Sequence, residues 1–120
     1  MTDPLLRLAD TRAGGFLIGW IFAHMSFIIP GQRLRETDHL LAFHHPKPSF
    51  PFHVLLLPKE SIRSCAELDP ADPFLSDLVE AVHSLVDEFG LSAYRLIVNG
   101  GEHQKFPPLH FHLISENPVP

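Results

Sequence analysis

Apolar positions from residue 32 onward fall into short runs that are separated by proline, glycine and charged residues. Runs of this length, rich in leucine, valine, isoleucine and phenylalanine, are typical of β-strands. Five of them are present, at 32–36, 39–44, 53–58, 94–99 and 109–115. The pattern therefore predicts five strands, and the continuous apolar character of 53–58 predicts that this strand is buried on both faces.

Between the third and fourth runs, apolar residues recur at steps of three and one, the spacing of one helix face. The segment 73–89 follows Asp72, a good N-cap, begins with Pro73 and ends before Gly90. The stripe expected to lie on a sheet contains Leu75, Leu78, Val79, Val82, Leu85, Val86 and Phe89. Strands and helix in this order predict an α+β fold with a five-stranded, mainly antiparallel sheet and one long helix.

The N-terminal part of the chain is different, because no charged residue stands between Arg12 and Arg33. Its densest apolar run, 16–29, is shorter than the roughly 20 apolar residues that span a bilayer. Asp3 stands where a secretory leader would be basic. We therefore predict an extension with an apolar N-terminal helix at 1–21 and a globular domain at 22–120, with no membrane association.

Composition narrows the function classes. The chain has 120 residues, 45% of them hydrophobic, and a net charge of −5, values typical of one globular domain. Without a cluster of lysine and arginine, it lacks the basic face that binds duplex nucleic acid. The one cysteine cannot form an internal disulfide, which favours a cytoplasmic protein. Histidine and proline, with 9 and 12 copies, are unusually frequent.

The histidines of the last predicted strand are the clearest candidates for chemistry. His110 and His112 stand two residues apart, so on a strand they project from the same face, roughly 6 to 7 Å apart. Imidazole titrates near neutral pH and serves as nucleophile, acid or base. Taken alone, the pair also fits one buried structural ring and one solvated ring.

Three blocks around these histidines resemble one known family. They are IPGQRLRETDHLLAF at 29–43, PSFPFHVLLLPK at 48–59, and YRLIVNGG at 94–101, which is followed by Gln104 and by His110-Phe-His112. Together they are similar to the histidine triad nucleotide hydrolases and transferases, the HIT family, over residues 22–115. In this register His110 and His112 are the second and third triad histidines, and Pro108 occupies the place of the first.

The resemblance implies a reaction and a set of catalytic residues. His110 would attack the α-phosphorus of a nucleoside phosphoramidate, nucleotide ester or dinucleotide, and water would hydrolyse the resulting nucleotidyl-histidine. His112 and His53 would complete the catalytic group. The resemblance also implies a purine nucleotide or dinucleotide substrate, a homodimer, and no metal or cofactor.

The substrate-binding residues implied by the resemblance include two departures from the family. Asn99 and Gln104 would donate to the phosphate, and Phe43 would line the site. His45 replaces an aspartate that holds the ribose hydroxyls, and Lys105 replaces a serine near the leaving group. Pro108 cannot transfer a proton, and the loss of a general acid costs about 100- to 10,000-fold in rate.

Two other functions fit the same residues. The chain could keep the HIT fold as a catalytically weak or inactive binding protein, because of Pro108 and His45. Alternatively, His110, His112 and Glu116 have the spacing of a cupin-type metal site, whose three N/O ligands would suit iron, manganese or zinc.

Overall fold

A computed structural model describes residues 33–105 and 107–120. Within this part, one α-helix and five strands form the fold: β1 (Arg33–Glu36), β2 (Leu40–His44), β3 (Phe52–Pro58), α1 (Pro73–Phe89), β4 (Arg95–Val98) and β5 (Phe111–Ser115). Two single-turn 3₁₀-helices, Cys65–Glu67 and Gly101–His103, lie in the connections. The strands make one sheet in the order β1-β2-β3-β5-β4, and every neighbouring pair is antiparallel. The α+β architecture predicted from the sequence is confirmed, and the strand limits move by at most two residues.

Both faces of the central strands are buried. The seven residues of β3 are all buried, and so are the five of β5. One face packs against α1 through apolar side chains that include Leu40, Val54, Leu56 and Leu113. Because side chains alternate along a strand, residues 53, 55, 112 and 114 belong to the opposite face. The sheet therefore separates α1 from His53 and His112.

Helix α1 has the predicted limits, and its ends are capped as the sequence indicates. The Asp72 carboxylate accepts a hydrogen bond of 2.9 Å from the Phe74 amide. Gly90 follows the last turn with a positive φ of 59°, a conformation that glycine adopts without strain.

The apolar stripe of α1 differs in part from the predicted one. The buried positions are Phe74, Leu78, Ala81, Val82 and Leu85, whereas Val79 is 50% exposed. Val79 is one residue past Leu78, a rotation of about 100° around the helix, which turns its side chain toward solvent. Step counting alone placed Val79 in the stripe, and that prediction is wrong.

The predicted N-terminal extension at 1–21 and the apolar run at 16–29 lie outside the described residues. In the part of the chain that the structure covers, no helix combines the length and apolar character needed to cross a membrane.

Candidate functional site

Four histidine rings meet on the sheet face opposite α1. His45 follows β2, His53 lies in β3, His110 immediately precedes β5, and His112 lies within it. The ring centroids are 4.4 Å apart for His45 and His53, 5.4 Å for His53 and His112, and 5.1 Å for His110 and His112. The expectation that His110 and His112 share one face, beside His53, is confirmed by this geometry.

Strand register explains how residues so distant in sequence come together. His53 pairs with Ile114 and Leu55 with His112, so His53 and His112 are diagonal neighbours on adjacent strands. The β2–β3 ladder continues past His44, because the His45 amide donates to the His53 carbonyl at 2.9 Å. This last bond brings the His45 ring over the His53 ring, where the two stack with an interplanar angle of 27°.

A backbone amide fixes the proton positions on His53 and His112. The Ser49 N–H donates to His53 Nδ1 at 3.1 Å, so the neutral His53 ring carries its proton on Nε2. That Nε2–H donates to His112 Nδ1 at 3.2 Å. The neutral His112 ring therefore also carries its proton on Nε2, as a hydrogen-bond donor.

A backbone carbonyl fixes the tautomer of His110 in the opposite sense. His110 Nδ1 lies 2.8 Å from the Pro108 carbonyl oxygen, which can only accept, so Nδ1 carries the proton. The lone pair of the neutral ring is then on Nε2. His110 is half-buried, while His53 and His112 are only 2% and 4% exposed. Among these three, the ring with the nucleophilic tautomer is the most accessible.

Burial keeps all four rings in the neutral form. Desolvation lowers the pKa of His45 to about 4 and that of His53 to about 3. The pKa values of His110 and His112 are also lowered by burial, and the neighbouring rings lower that of His112 further. The bond to the Pro108 carbonyl partly opposes this effect on the pKa of His110. At pH 7 the cluster thus offers neutral donors and one nucleophilic lone pair.

The other predicted substrate-binding residues lie at different depths. Phe43 is completely buried in β2. Asn99 is half-buried after β4, and Lys105 is exposed. Gln104 donates from Nε2 to the Arg63 carbonyl at 2.8 Å and lines a small polar cavity with Arg63 and Pro107. Their contacts with substrate stay predictions.

Three backbone groups that organise the site could not be identified from the sequence: the amides of Lys47 and Ser49 and the carbonyl of Pro108. The only hint in the sequence is the proline-rich connection at 46–51, which restricts the backbone between β2 and β3.

The cupin-type alternative is not supported. Glu116, its third ligand, is exposed, and its carboxylate accepts from Arg95 at 2.7 Å. The described residues also contain no group of three or more histidine, cysteine or acidic side chains placed to hold a metal ion.

Comparison with known proteins identifies the family. Residues 27–119 match the model of the HIT domain. A HIT-like protein from Azospirillum brasilense is 31% identical over 93 residues, which cover 72% of this chain and 76% of the relative. Among these matches, the structure of a HIT family hydrolase from Legionella pneumophila has a TM-score of 0.69 at 26% identity, covering 82% of this chain and 91% of that one.

A histidine triad nucleotide-binding protein from Candida albicans is also similar in structure. It has a TM-score of 0.67 at 27% identity and covers 78% of this chain and 71% of that chain. The family match, the sheet order and the histidine cluster agree, and the chain belongs to the HIT family.

Proposed function

We propose that the protein is a nucleotide hydrolase or transferase that forms a nucleotidyl-histidine at His110. The observation that supports this most directly is the tautomer of His110, whose Nδ1–H is engaged by the Pro108 carbonyl. A histidine nucleophile needs its lone pair on the nitrogen that faces the substrate. The hydrolase and nucleotide-binding names of the Legionella and Candida proteins support the same reaction class.

In the proposed first step, His110 Nε2 attacks the α-phosphorus of the substrate. A phosphorus–nitrogen bond to the ring forms, and the bond to the leaving oxygen or nitrogen breaks. The leaving atom takes the electron pair and receives a proton from solvent. The ring becomes positively charged, and its Nδ1–H bond to the Pro108 carbonyl stabilises that charge.

In the second step, water attacks phosphorus and the phosphorus–nitrogen bond breaks. His110 recovers its electron pair, and the water proton passes to solvent. Throughout, negative charge on the equatorial phosphoryl oxygens needs fixed donors nearby. The Nε2–H of His112 is such a donor, because His53 holds it on that nitrogen.

Pro108 also favours a second candidate, a HIT-fold protein that binds nucleotides and turns them over very slowly or not at all. Proline has no side-chain proton to give, and the depressed pKa values of the neighbouring rings leave them neutral at pH 7. Loss of a general acid costs about 100- to 10,000-fold in rate.

Adenosine 5′-phosphoramidate tests the proposal, with AMP release measured by chromatography. The wild type should release AMP, His110→Ala should lose the activity, and the control His83→Ala, on the exposed side of α1, should retain it. AMP release at the same rate from His110→Ala would remove His110 from the reaction. AMP binding without release in the wild type would favour the binding protein.

The purine preference, homodimer and cytoplasmic location expected from the sequence stay predictions. Sedimentation velocity of the full chain measures the oligomeric state directly.

A further inference from the structure

His45 is the ring of the cluster that the proposed reaction does not use. It is 3% exposed and stacks on His53, with the ring centroids 4.4 Å apart. A ring buried this deeply needs partners for both nitrogens to offset the loss of hydration.

Among the residues that the structure describes, only one nitrogen of His45 has such a partner. The Lys47 amide donates to Nδ1 at 2.9 Å, so the neutral ring carries its proton on Nε2. That Nε2 is buried, and within residues 33–105 and 107–120 it has no hydrogen-bond partner. A buried N–H without an acceptor costs stability, which is the mark of a group kept for a ligand or another function.

The surroundings of His45 indicate the kind of acceptor that is missing. In addition to burial, His110 lowers the pKa of His45, and other histidines of the cluster lower the pKa values of His53 and His112. Besides the N–H groups by which His53 donates to His112 and His110 donates to the Pro108 carbonyl, the cluster carries His45 Nε2–H and His112 Nε2–H. An acceptor brought by a ligand would satisfy His45, and an anionic oxygen makes the stronger bond.

We propose that His45 is a binding and specificity-determining residue, whose Nε2–H donates to an anionic oxygen of the phosphate group bound at His110 and His112. This inference rests on the proposed nucleotide chemistry, and it extends it. The Nε2–H of His45 then favours ligands that carry a phosphate, together with the Nε2–H of His112. A charged or neutral acceptor side chain at position 45 would oppose the same ligand.

Two substitutions separate the donor from the rest of the ring. His45→Asn keeps an oxygen near the position of Nδ1, able to accept from the Lys47 amide, and removes the distal N–H. His45→Gln reaches as far as Nε2 and restores an N–H there. His83→Gln is the control, because His83 is exposed on α1 and far from the cluster in the fold.

Equilibrium binding of AMP and of inorganic phosphate is measured for the wild type and the three variants. We expect His45→Asn to lower the affinity for both ligands about tenfold. The affinities of His45→Gln should stay within about threefold of the wild type, and those of His83→Gln should be unchanged. Equal affinity of His45→Asn and wild type would overturn the inference, and so would a loss for AMP alone, which would place the contact on the nucleoside.

Nitrogen NMR of the wild type gives a second readout that does not depend on the folding of any variant. The His45 Nε2 resonance should be that of a protonated nitrogen without ligand, and it should shift when AMP or inorganic phosphate is added. An unchanged resonance at saturating phosphate overturns the inference, as does failure of both ligands to bind.

The role of His45 and the proposed reaction are tested by different measurements, so either can be rejected without the other. Turnover of adenosine 5′-phosphoramidate by the wild type decides the function, and the affinity ratio of His45→Asn to His45→Gln decides the role of His45. A wild type that binds AMP through His45 and releases none from the phosphoramidate would retain the inference and reject the hydrolase.

Discussion

The Nε2 atom of His53 lies 3.2 Å from the Nδ1 atom of His112, and the direction of this hydrogen bond is set from outside the pair. The Ser49 amide occupies the other nitrogen of His53, so His53 donates and His112 accepts. His53 therefore acts through His112, as a positioning residue, by keeping the His112 proton on the nitrogen that would face a phosphoryl oxygen.

Substitution of His53 tests this relationship. His53→Asn removes the donor to His112, which then interconverts between its two neutral tautomers, and we expect the turnover of adenosine 5′-phosphoramidate to fall about tenfold. His53→Gln keeps an N–H at the same distance and should recover most of the rate. Nitrogen NMR of His112 is the readout specific to positioning: a single tautomer in His53→Asn would contradict this role.

Pro108→His restores a side chain that can transfer a proton beside His110. The acceptor for His110 Nδ1 is the backbone carbonyl of residue 108, a group that the substitution does not remove. We expect kcat for a poor leaving group to rise about tenfold or more. Pro108→Ala, which adds no acid, is the matched control, and an equal rise in both variants would count against proton transfer.

The acidic limb of the pH–rate profile reports the protonation of His110. Burial lowers the pKa of His110 below its usual 6.5, so the Nε2 lone pair stays available in moderately acidic solution. The value of kcat/KM should therefore stay level as the pH falls through 6.5 and decline only at lower pH. A decline centred at or above pH 6.5 would show that the fold does not depress the pKa of the nucleophile.

Acid should destabilise the fold, because the buried histidines take up protons more readily in the unfolded chain than in the folded one. The pKa values of His45 and His53 are lowered to about 4 and about 3, so the unfolded chain binds protons between pH 6.5 and these values while the folded chain does not. Each such ring costs about 1.4 kcal/mol of unfolding free energy per pH unit below 6.5. Urea unfolding at pH 7 and 5 measures this, and His45→Asn should reduce the difference.

The N-cap of α1 makes a separate contribution to stability, far from the chemistry. Asp72→Ala removes the acceptor for the Phe74 amide and should lower the free energy of unfolding by about 1 kcal/mol. Glu80→Ala, at an exposed position in the middle of α1, should change it by less than about 0.5 kcal/mol. Equal effects of the two substitutions would contradict the cap.

The fold was predictable because each helix and strand corresponds to a local pattern of apolar, proline and glycine residues. The proline at 73, the glycine at 90 and the apolar runs at 39–44 and 109–115 have direct structural consequences. The meeting of His53, His110 and His112 was predictable too, through strand alternation and family resemblance. Val79 was predicted wrongly because the residue next to a buried helix position can lie inside the apolar stripe or just outside it.

The proton positions in the site were beyond prediction for a different reason. They depend on the amides of Lys47 and Ser49 and on the carbonyl of Pro108, groups that almost every residue type carries. Their directions depend on loop conformation, which the residue names leave open. The stacking of His45 on His53 likewise follows from one additional ladder bond beyond His44.

The carbonyl that accepts from His110 belongs to the main chain, so holding the attacking ring and supplying a proton are separate tasks at position 108. At position 108 the peptide oxygen, and not the side chain, holds the imidazole of His110. The orientation of the attacking ring and the supply of a proton can therefore vary independently at position 108. A proline there provides no proton, while its carbonyl still orients the His110 ring.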